Sequence, residues 1–228
     1  MDKAVIFIVE GKTDKTALES IFKKIYQYKD VQFKFTKGDL TSDEDITKEN
    51  IKAKIYEIVK TYMDYAKLNK SNIFQIIQIF DTDGTYIEEA YAAEGDTEEF
   101  VYSEEGISCK HRDRIVRRNA HKKELMEFLL GEQEIENIPY ECYFMSCNLD
   151  HALYDKNNLT EEEKERNADL FQKMFVGKEE KFITYIRKIA AKDMPMNYPE
   201  SWRYIKEERH SLERNSNLAI YFDRNPPL

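Results

Sequence analysis

The first half of the chain alternates between short apolar runs and amphipathic stretches. The apolar runs are rich in β-branched residues, which is typical of buried strands. The stretches between them repeat apolar residues every three or four positions, as helices do. This β-α-β-α-β order predicts an α/β fold with a parallel sheet and right-handed crossovers. The predicted elements are a strand at Ala4–Val9, a helix at Asp14–Tyr28, a strand at Val31–Phe35, a helix capped by Thr47, and a strand at Ile73–Phe80.

The pattern changes in the middle of the chain. An acidic segment without apolar period, Glu88–Glu105, precedes the basic segment Lys110–Lys123, whose continuation has a helical pattern. Tyr140–Met145 then predicts one more core strand. We therefore predict a domain at 1–147 with an inserted excursion at about 84–139, followed by a mainly helical C-terminal extension at 148–228.

The pattern of the extension predicts its own elements. Thr160 and Glu163 form a capping box at the start of a helix whose apolar face would carry Leu170, Met174 and Phe175. The other predicted elements are helices at Glu179–Ala191 and Trp202–Arg209 and a terminal strand at Leu218–Phe222.

Composition narrows the class of protein. The 228 residues carry a net charge of −9, whereas nucleic-acid-binding proteins are usually basic, so any such contact must be concentrated on one face. The three cysteines, an odd number without metal-site spacing, predict free thiols in a cytoplasmic protein. No segment has the length of a membrane span or signal peptide, so we expect no membrane partner.

Four carboxylates follow predicted strands closely. Glu10 ends the first strand, Asp14 lies one helical turn later, and Asp81 and Asp83 follow the strand IFQIIQIF. Chemistry in open parallel sheets gathers at the carboxyl ends of the strands, so we expect these groups to converge. Residues two apart on an extended segment point the same way, so Asp81 and Asp83 can face one site while Thr82 faces away. The alternative for Asp14 alone is a first-turn acid favoured by the helix dipole.

Such a cluster calls for a cation, because adjacent carboxylates repel each other. Mg²⁺ prefers oxygen ligands and keeps several waters, and Mn²⁺ could replace it. One or two ions held by these carboxylates would suit metal-assisted cleavage or transfer of phosphodiesters. Gly11 and Gly84 each follow a carboxylate. A glycine at these positions would let the backbone turn sharply after the strand and let a ligand approach closely.

The residues around these carboxylates also resemble two other known motifs. The GKT of Gly11–Thr13 matches the end of a Walker A loop, but the required earlier glycine would fall at Ile6, so we reject that motif. FDTDGT resembles the nucleophile motif of haloacid-dehalogenase-type phosphatases, in which Asp81 would carry a covalent phosphate. That motif normally ends the first core strand, whereas two predicted strands precede it here. A small-molecule phosphohydrolase therefore stays an alternative.

VEGKTD and FDTDG, in this order, resemble the two motifs of the TOPRIM family, which is shared by topoisomerases, primases and several nucleases. The resemblance covers Lys3–Gly84 and extends through Ser146. It implies a Rossmann-like parallel sheet flanked by helices, with Mg²⁺ held by Glu10, Asp81 and Asp83, and a role in proton transfer for the glutamate. The additional Asp14 in EGKTD resembles the first motif in the nuclease branch of the family. This branch includes the overcoming-lysogenisation-defect nucleases, in which a second metal is bound.

Two later segments, CNLDHALY and SWRYIKEERHSLERNSNL, resemble the carboxyl-terminal segments of stand-alone TOPRIM effectors of abortive-infection and anti-phage systems such as PARIS. The resemblance implies a nuclease that cleaves DNA or RNA, tRNA included. A separate ATPase or sensor protein would control it, because the ATPase fused to other family members is missing. A homo-oligomer fits this setting. The contrasting hypothesis is a non-catalytic regulatory or docking module with a degenerate carboxylate site.

A dense basic cluster offers a surface for a phosphate backbone, and His111 and His121 could add contacts. The alternative is a solvated helix that offsets the acidic run before it. The cluster consists of Lys110, Arg112, Arg114, Arg117, Arg118, Lys122 and Lys123.

Four residues of the extension are further candidates. Arg214 could steady a phosphate or pair with Glu213 or another acid. Asn148 and Asp150 follow a predicted core strand and could approach the metal site. For His151 we expect a local hydrogen bond, with a ligand or acid–base role as the alternative.

Overall fold

The computed structural model of the chain describes residues 3–27, 30–36 and 38–227. The strands are β1 (Ala4–Val9), β2 (Asp30–Phe35), β3 (Ile73–Asp81), β4 (Ala92–Glu94), β5 (Val101–Ser103), β6 (Gly106–Cys109), β7 (Glu134–Ile135), β8 (Ile138–Ser146) and β9 (Asn215–Ser216). The helices are α1 (Lys12–Ile25), α2 (Ile51–Ala66), α3 (Arg112–Leu130), α4 (Leu149–Tyr154), α5 (Glu161–Phe175), α6 (Glu179–Ile189), α7 (Tyr198–Ile205) and α8 (Leu218–Arg224).

A six-stranded, mostly parallel sheet forms the centre of the protein. Its order is β2-β1-β3-β8-β7, and β9 pairs with β8. The pairs β1–β2, β1–β3 and β3–β8 are parallel, so the predicted β-α-β-α-β arrangement is confirmed. All six residues of β1 are buried, because helices cover both faces of the sheet. The fold is therefore α/β and compatible with a Rossmann-like arrangement.

An apolar core lies on each face of the sheet. On one face, Phe7 of β1 packs edge-on against Phe22 of α1 at 4.9 Å between ring centroids, and helices α5, α6 and α8 complete the layer. On the other face, α2, α3 and α7 cover the strands, and Trp202 packs edge-on against Phe80. Helices from residues 148–227 thus contribute to both cores.

The excursion between β3 and β8 contains a small sheet and one long helix. The small sheet has the order β4-β6-β5, and its Ile107 packs with Ile115 of α3 and with Leu212. The predicted helical continuation of the basic segment is confirmed as part of α3, which also includes most of the basic segment and whose Leu125 and Met126 are buried against the central sheet.

The predicted strand at Leu218–Phe222 is wrong, because these residues lie in helix α8. The preceding β9 pairs antiparallel with the end of β8, and the side chain of Asn217 then accepts a hydrogen bond from the N–H of Phe144 (2.8 Å). All five apolar residues of the run are buried. A short, fully buried run has no polar positions to reveal its period, so it fits a strand and a helix equally well.

Helix α5 begins as predicted but presents a different face. The capping box of Thr160 and Glu163 is confirmed. Leu170 and Met174 are exposed, however, at 56% and 55%. The buried stripe, shifted by one position, consists of Asn167, Ala168, Phe171 and Phe175.

Several helix boundaries differ from the predictions. Helix α1 begins at Lys12, two residues early, and its predicted end at Tyr28 lies outside the described residues. Helix α2 has Asn50 rather than Thr47 as N-cap, because Thr47 lies in a preceding turn and donates its N–H to the side chain of Asn50 (2.8 Å). Helix α7 ends at Ile205, and α6 ends two residues before its predicted end.

Cys109, Cys142 and Cys147 are buried free thiols, as expected. Among the described residues, no helix is both long and apolar enough to cross a bilayer.

Candidate metal centre

Three of the four expected carboxylates each accept a hydrogen bond from a backbone N–H group, but among the described residues neither Asp14 nor Asp81 belongs to a group of three whose oxygens all lie within 4.8 Å of one another. The N–H of Asp81 donates to Glu10 Oε1 (3.1 Å), that of Leu149 to Asp81 Oδ1 (2.9 Å), and that of Gly11 to Asp14 Oδ2 (2.7 Å). These three donors lie at the end of β3, at the start of α4 and at the N-cap of α1. Within the described chain, Glu10 Oε2 and Asp81 Oδ2 accept no hydrogen bond, so one oxygen of each stays available to a ligand.

Asp83 joins the cluster through a turn rather than through strand alternation. The N–H of Thr85 donates to the carbonyl of Thr82 (2.8 Å), and this turn places Asp83 (φ 48°) and Gly84 (φ 64°) in the left-handed region. Thr82 faces away from the site, as expected, and its buried hydroxyl donates to the carbonyl of Ser211 (2.7 Å). The turn therefore gives Asp83 the same direction that an extended segment would have given it.

The two glycines serve the backbone of the site. A Cβ on Gly84 would lie 2.5 Å from Leu212 Cδ2 and 2.8 Å from Ile107 Cδ1, so side chains already fill the space beside it. Gly84 therefore permits the tight turn, but it offers no room for a ligand. Gly11 is the N-cap of α1, and a Cβ there would lie 3.2 Å from Asp14 Oδ2.

Asp39, which the sequence analysis missed, completes the cluster. One oxygen each from Glu10, Asp39 and Asp83 lie within 4.8 Å of one another. Asp39 follows β2, which runs parallel to β1, so the same rule of strand ends could have found it. Its Oδ1 accepts hydrogen bonds from the N–H (2.8 Å) and hydroxyl (2.6 Å) of Thr41, and its Oδ2 accepts one from the hydroxyl of Ser42.

Lys122 of α3 inserts its ammonium between these three carboxylates. Its Nζ lies 2.6 Å from Asp39 Oδ2, 2.6 Å from Asp83 Oδ2 and 3.5 Å from Glu10 Oε1, and its side chain is 0% exposed. Burial opposes the charge, but the three carboxylates outweigh it and raise the pKa of Lys122 well above its usual value. Burial likewise opposes ionisation of Asp39, yet Lys122 lowers the pKa of Asp39 to about 2. Lys122 therefore neutralises the cluster from within and does not face a nucleic acid.

Arg118, one helical turn before Lys122, also points at the cluster. Its Nη1 lies 3.6 Å from Asp83 Oδ2, and its Nη2 donates to the carbonyl of Asp83 (3.1 Å). The guanidinium packs over the ring of Phe100 at 4.8 Å and donates to the hydroxyl of Tyr102 (3.1 Å). Arg118 thus holds the Asp83 turn in place.

On the side away from α3, where Asp14 and Asp81 lie, the cluster has an excess of negative charge. Burial, followed by Glu10 and Asp14, raises the pKa of Asp81 well above its usual value. Burial and Asp39 likewise raise the pKa of Glu10, and burial raises that of Asp14. Among the described residues, no Lys, Arg or His nitrogen lies within 4.0 Å of the carboxylates of Asp14 or Asp81. Lys164 and Lys122 act on these two carboxylates only from beyond salt-bridge distance, so their hard oxygen donors, which fit Mg²⁺ or Mn²⁺, are not paired with a cation.

The rest of the basic cluster is divided between structural contacts and the surface. Arg112 donates to two backbone carbonyls (2.9 and 2.7 Å), and Arg114 donates to a third (3.0 Å). Arg117 and Lys123 are exposed, although Arg117 pairs with a neighbouring aspartate at 3.0 Å. Phe100, Arg114, Arg117, Arg118 and His121 line a pocket of about 380 Å³ beside the Asp39 loop.

The remaining members lie at the edges of this surface. Lys110 Nζ lies 2.9 Å from the carboxylate of Glu98, and His111 Nε2 lies 3.9 Å from it. His121 Nε2 contacts the carbonyl of Asp43 at 2.9 Å. The basic segment and the acidic segment before it thus neutralise each other in part.

Arg214 belongs to a different part of the molecule. It donates to the carbonyl of Ala152 (3.1 Å) and to the hydroxyl of Tyr185 (3.0 Å), and it lies 3.5 Å from the carboxylate of Asp155. Arg214 therefore supports the end of α4, and its acidic partner is Asp155 rather than Glu213.

The residues after β8 line the edge of the centre. Asn148 is the N-cap of α4, and its side chain accepts the N–H of His151 (2.9 Å). The expected local hydrogen bond of His151 is confirmed, because the N–H of Cys147 donates to its Nδ1 (3.3 Å). Burial lowers the pKa of His151, consistent with a neutral acceptor. Burial and the nearby Asp14 raise the pKa of Asp150 to about 6.

No protein-family model matches the chain, and no curated protein or solved structure is similar to it at a significant level. The fold and this site therefore define an α/β protein with a buried carboxylate cluster at the carboxyl ends of its parallel strands.

Proposed function

We propose that the chain is a Mg²⁺-dependent nuclease of the TOPRIM type, which hydrolyses phosphodiester bonds of DNA or RNA. One observation carries this proposal. The carboxylates of Glu10 and Asp14 lie near enough to Asp81 at the strand ends to raise its pKa, and within the described chain no Lys, Arg or His nitrogen lies within 4.0 Å of the carboxylates of Asp14 or Asp81. Since ionised carboxylates in this position need a counter-charge, a divalent cation is the natural ligand.

Glu10, Asp14 and Asp81 would hold the ion, and Asp83 would border it. When bound, a divalent cation activates water and stabilises negative charge on phosphoryl oxygens. Backbone N–H groups orient the three carboxylates before any ligand arrives, which limits the cost of reorganisation. The raised pKa of Glu10, due to burial and then Asp39, suits it to hold a proton and to act as acid or base.

The surface around the centre supports a polyanionic substrate. Arg114, Arg117 and His121 line a pocket next to the loop that carries Asp39. The positive charge of the two arginines would attract a phosphate backbone towards the carboxylates, although the protein as a whole is acidic. The motifs quoted above favour a cytoplasmic anti-phage effector acting on DNA, RNA or tRNA, which a separate ATPase or sensor protein holds in check and which could act as a homo-oligomer.

The test is an assay of the full chain with Mg²⁺ or Mn²⁺ on plasmid, single-stranded DNA and total cellular RNA including tRNA. We expect cleavage by the wild type and at least a hundredfold loss in Glu10→Gln and Asp81→Asn. Asp64→Asn, which alters an exposed aspartate of α2, is the matched control and should keep full activity. Equal cleavage by all four proteins would overturn the proposal.

A non-catalytic docking module is the second candidate, and Lys122 is the observation that favours it. Its ammonium already neutralises Asp39 and Asp83 without a metal. Calorimetry with Mg²⁺ and Mn²⁺ separates the two functions. A catalytic centre should bind the ion in a way that Asp81→Asn abolishes, whereas a docking module should show no carboxylate-dependent binding. Hydrolysis of simple phosphate esters with a covalent phosphate on Asp81 would instead indicate a small-molecule phosphohydrolase.

A further inference from the structure

A groove with a volume of about 670 Å³ lies between α1, β2 and α2, at the edge of the central sheet. We call it the lysine–aromatic groove. Its lining includes Lys15, Lys34, Phe35, Lys54, Tyr62 and Tyr65. Phe35 is 40% exposed and Tyr65 is 88% exposed, so both rings are accessible to a ligand. The groove has the size of a site for a nucleotide-sized ligand.

The charge of the groove is opposite to that of the whole protein. Three lysines and one glutamate line it, whereas the chain carries −9 overall. Lys34 and Lys54 have no carboxylate within 4.0 Å among the described residues, and burial and Lys15 lower the pKa of Lys34. Lys15 shares Glu19 with Lys23, at 3.6 and 2.8 Å respectively. An anionic ligand would relieve this local excess of positive charge.

The groove borders chain segments that carry two carboxylates of the cluster, Glu10 and Asp39. Thr36 lines the groove, and its hydroxyl donates to the carbonyl of Glu10 (3.0 Å). Leu40 also lines it and is the residue after Asp39. The groove therefore adjoins the backbone segments that carry Glu10 and Asp39.

We propose that the lysine–aromatic groove binds an unpaired nucleobase of a single-stranded nucleic acid, with its flanking phosphates on Lys15, Lys34 and Lys54. This inference rests on the proposed nuclease function and names its substrate class. Bases stack on exposed aromatic rings regardless of sequence, and only an unpaired base can reach them. The ammonium of Lys34 lies over the ring of Tyr62 at 4.4 Å, and that of Lys15 lies over the ring of Phe35 at the longer distance of 5.9 Å, so the highly exposed Tyr65 is the main stacking surface and Phe35 the second.

Fluorescence anisotropy with the full chain tests the groove separately from catalysis. The probes are labelled oligo(dT), oligo(rU) and a duplex of mixed sequence, in low salt without divalent cations. We expect single strands to bind more tightly than the duplex. Tyr65→Ala and Phe35→Ala should each weaken single-strand binding about fivefold or more, as expected for one lost stacking partner. Lys34→Gln combined with Lys54→Gln should lower the salt slope for single strands by about 1.4.

Two variants outside the groove are the controls. Phe74→Ala removes another aromatic residue of high exposure, 49%, and Lys192→Gln removes another exposed lysine. Both should bind like the wild type. Because Tyr65 is almost fully exposed, its replacement leaves the fold intact, and any loss of affinity reports on the groove.

The outcomes separate this inference from the proposed function. If the wild type cleaves nucleic acid but the groove variants bind single strands as tightly as the wild type, the groove assignment is wrong and the nuclease stands. If the groove variants lose binding while Glu10→Gln leaves cleavage unchanged, the groove stands and the carboxylate mechanism fails. Equal affinity for duplex and single strands, or no binding of either, would overturn the groove as a base-binding site.

Discussion

Replacement of Lys122 by Met tests whether this lysine is the internal counter-ion of the carboxylate cluster. Met has a similar length and suits a buried position, but it removes the ammonium from between Glu10, Asp39 and Asp83. The three carboxylates would then share a buried site with Arg118 as their nearest cation, 3.6 Å from Asp83.

The expected loss can be worked from the chemistry of one carboxylate. Breaking a buried ion pair by removing one partner costs about 3–5 kcal/mol. The protein could limit this loss by taking up a proton on Asp39, but at pH 7 that costs about 4 kcal/mol for an aspartate with an ordinary pKa near 3.9. Both routes give a loss of about 3–5 kcal/mol in the free energy of unfolding at pH 7, a large share of the stability of a domain.

Urea unfolding measures this loss, and Trp202 is a convenient probe because it is the single tryptophan and is buried against Phe80 and Phe144. The measurement is made in EDTA at pH 7 and pH 5, and then with added Mg²⁺. The proton taken up by the variant becomes easier to bind as the pH falls, so its deficit should shrink by about 1.4 kcal/mol per pH unit. If Mg²⁺ can occupy the vacated position, it should restore part of the stability.

Lys206→Met is the matched control. Lys206 pairs with Glu127 of the same helix α3 at 2.7 Å, but this pair lies at the surface, so its removal should cost about 0–1 kcal/mol. A loss below about 1 kcal/mol in Lys122→Met, or a loss that does not change between pH 7 and pH 5, would refute the role of Lys122 as counter-ion.

Two further predictions concern the turn and the edge of the centre. Gly84→Ala should lower the free energy of unfolding by about 2 kcal/mol or more and weaken metal binding, since the new Cβ would lie 2.5 Å from Leu212 Cδ2. The control is Gly177→Ala, which has φ 76° but open space around it and should cost only about 1 kcal/mol in urea unfolding. Equal losses in the two variants would contradict the packing argument. Asp150→Asn should stabilise the protein above pH 6 by up to about 2–3 kcal/mol, because folding raises the pKa of Asp150 from about 3.9 to about 6. Above pH 6 the folded protein must hold the ionised carboxylate, which costs stability. This cost disappears as the pH falls to about 4, because Asp150 is then protonated. Thermal unfolding in EDTA across this pH range measures the difference, and a gap that does not close at low pH would refute the assignment.

The strands of the central sheet could be predicted well because burial on both faces makes them continuous apolar runs. Ala4–Val9 is predicted to the residue, and the predicted start of β3 at Ile73 is confirmed. The same reasoning fails at Leu218–Phe222, since a buried helix leaves the same signature as a buried strand when only five residues are seen. The prediction of the buried face of α5 is wrong for a related reason. Adjacent faces of a helix differ by one residue, and only packing against the neighbouring helices determines which face is buried.

The carboxylates at the ends of β1 and β3 could be found from the sequence, whereas Lys122 was misread as part of a basic surface. A signal was nevertheless present. The buried residues of α3 include Ile115, Asn119, Lys122, Met126 and Leu129, with alternating spacings of four and three. This is the core-facing stripe of a helix, and a lysine on such a stripe must find acidic partners when it is buried. Its partner Asp39 lies 83 residues away, so the pair itself could be seen only in three dimensions.

The arrangement divides the carboxylates into two groups with different chemistry. Asp39 and Asp83 lie next to α3, so Lys122 and Arg118 neutralise them whether or not a metal is present. Asp14 and Asp81 lie on the side of α1 and α4, where backbone N–H groups orient them and, within the described chain, no Lys, Arg or His nitrogen lies within 4.0 Å of their carboxylates. Glu10 belongs to both groups, because its Oε1 contacts Lys122 at 3.5 Å while its Oε2 accepts no hydrogen bond within the described chain. If a metal binds as we propose, its loss should therefore destabilise the Asp14–Asp81 side and leave the Asp39–Asp83 side intact, which amide hydrogen exchange at Leu149 and Thr41 can distinguish.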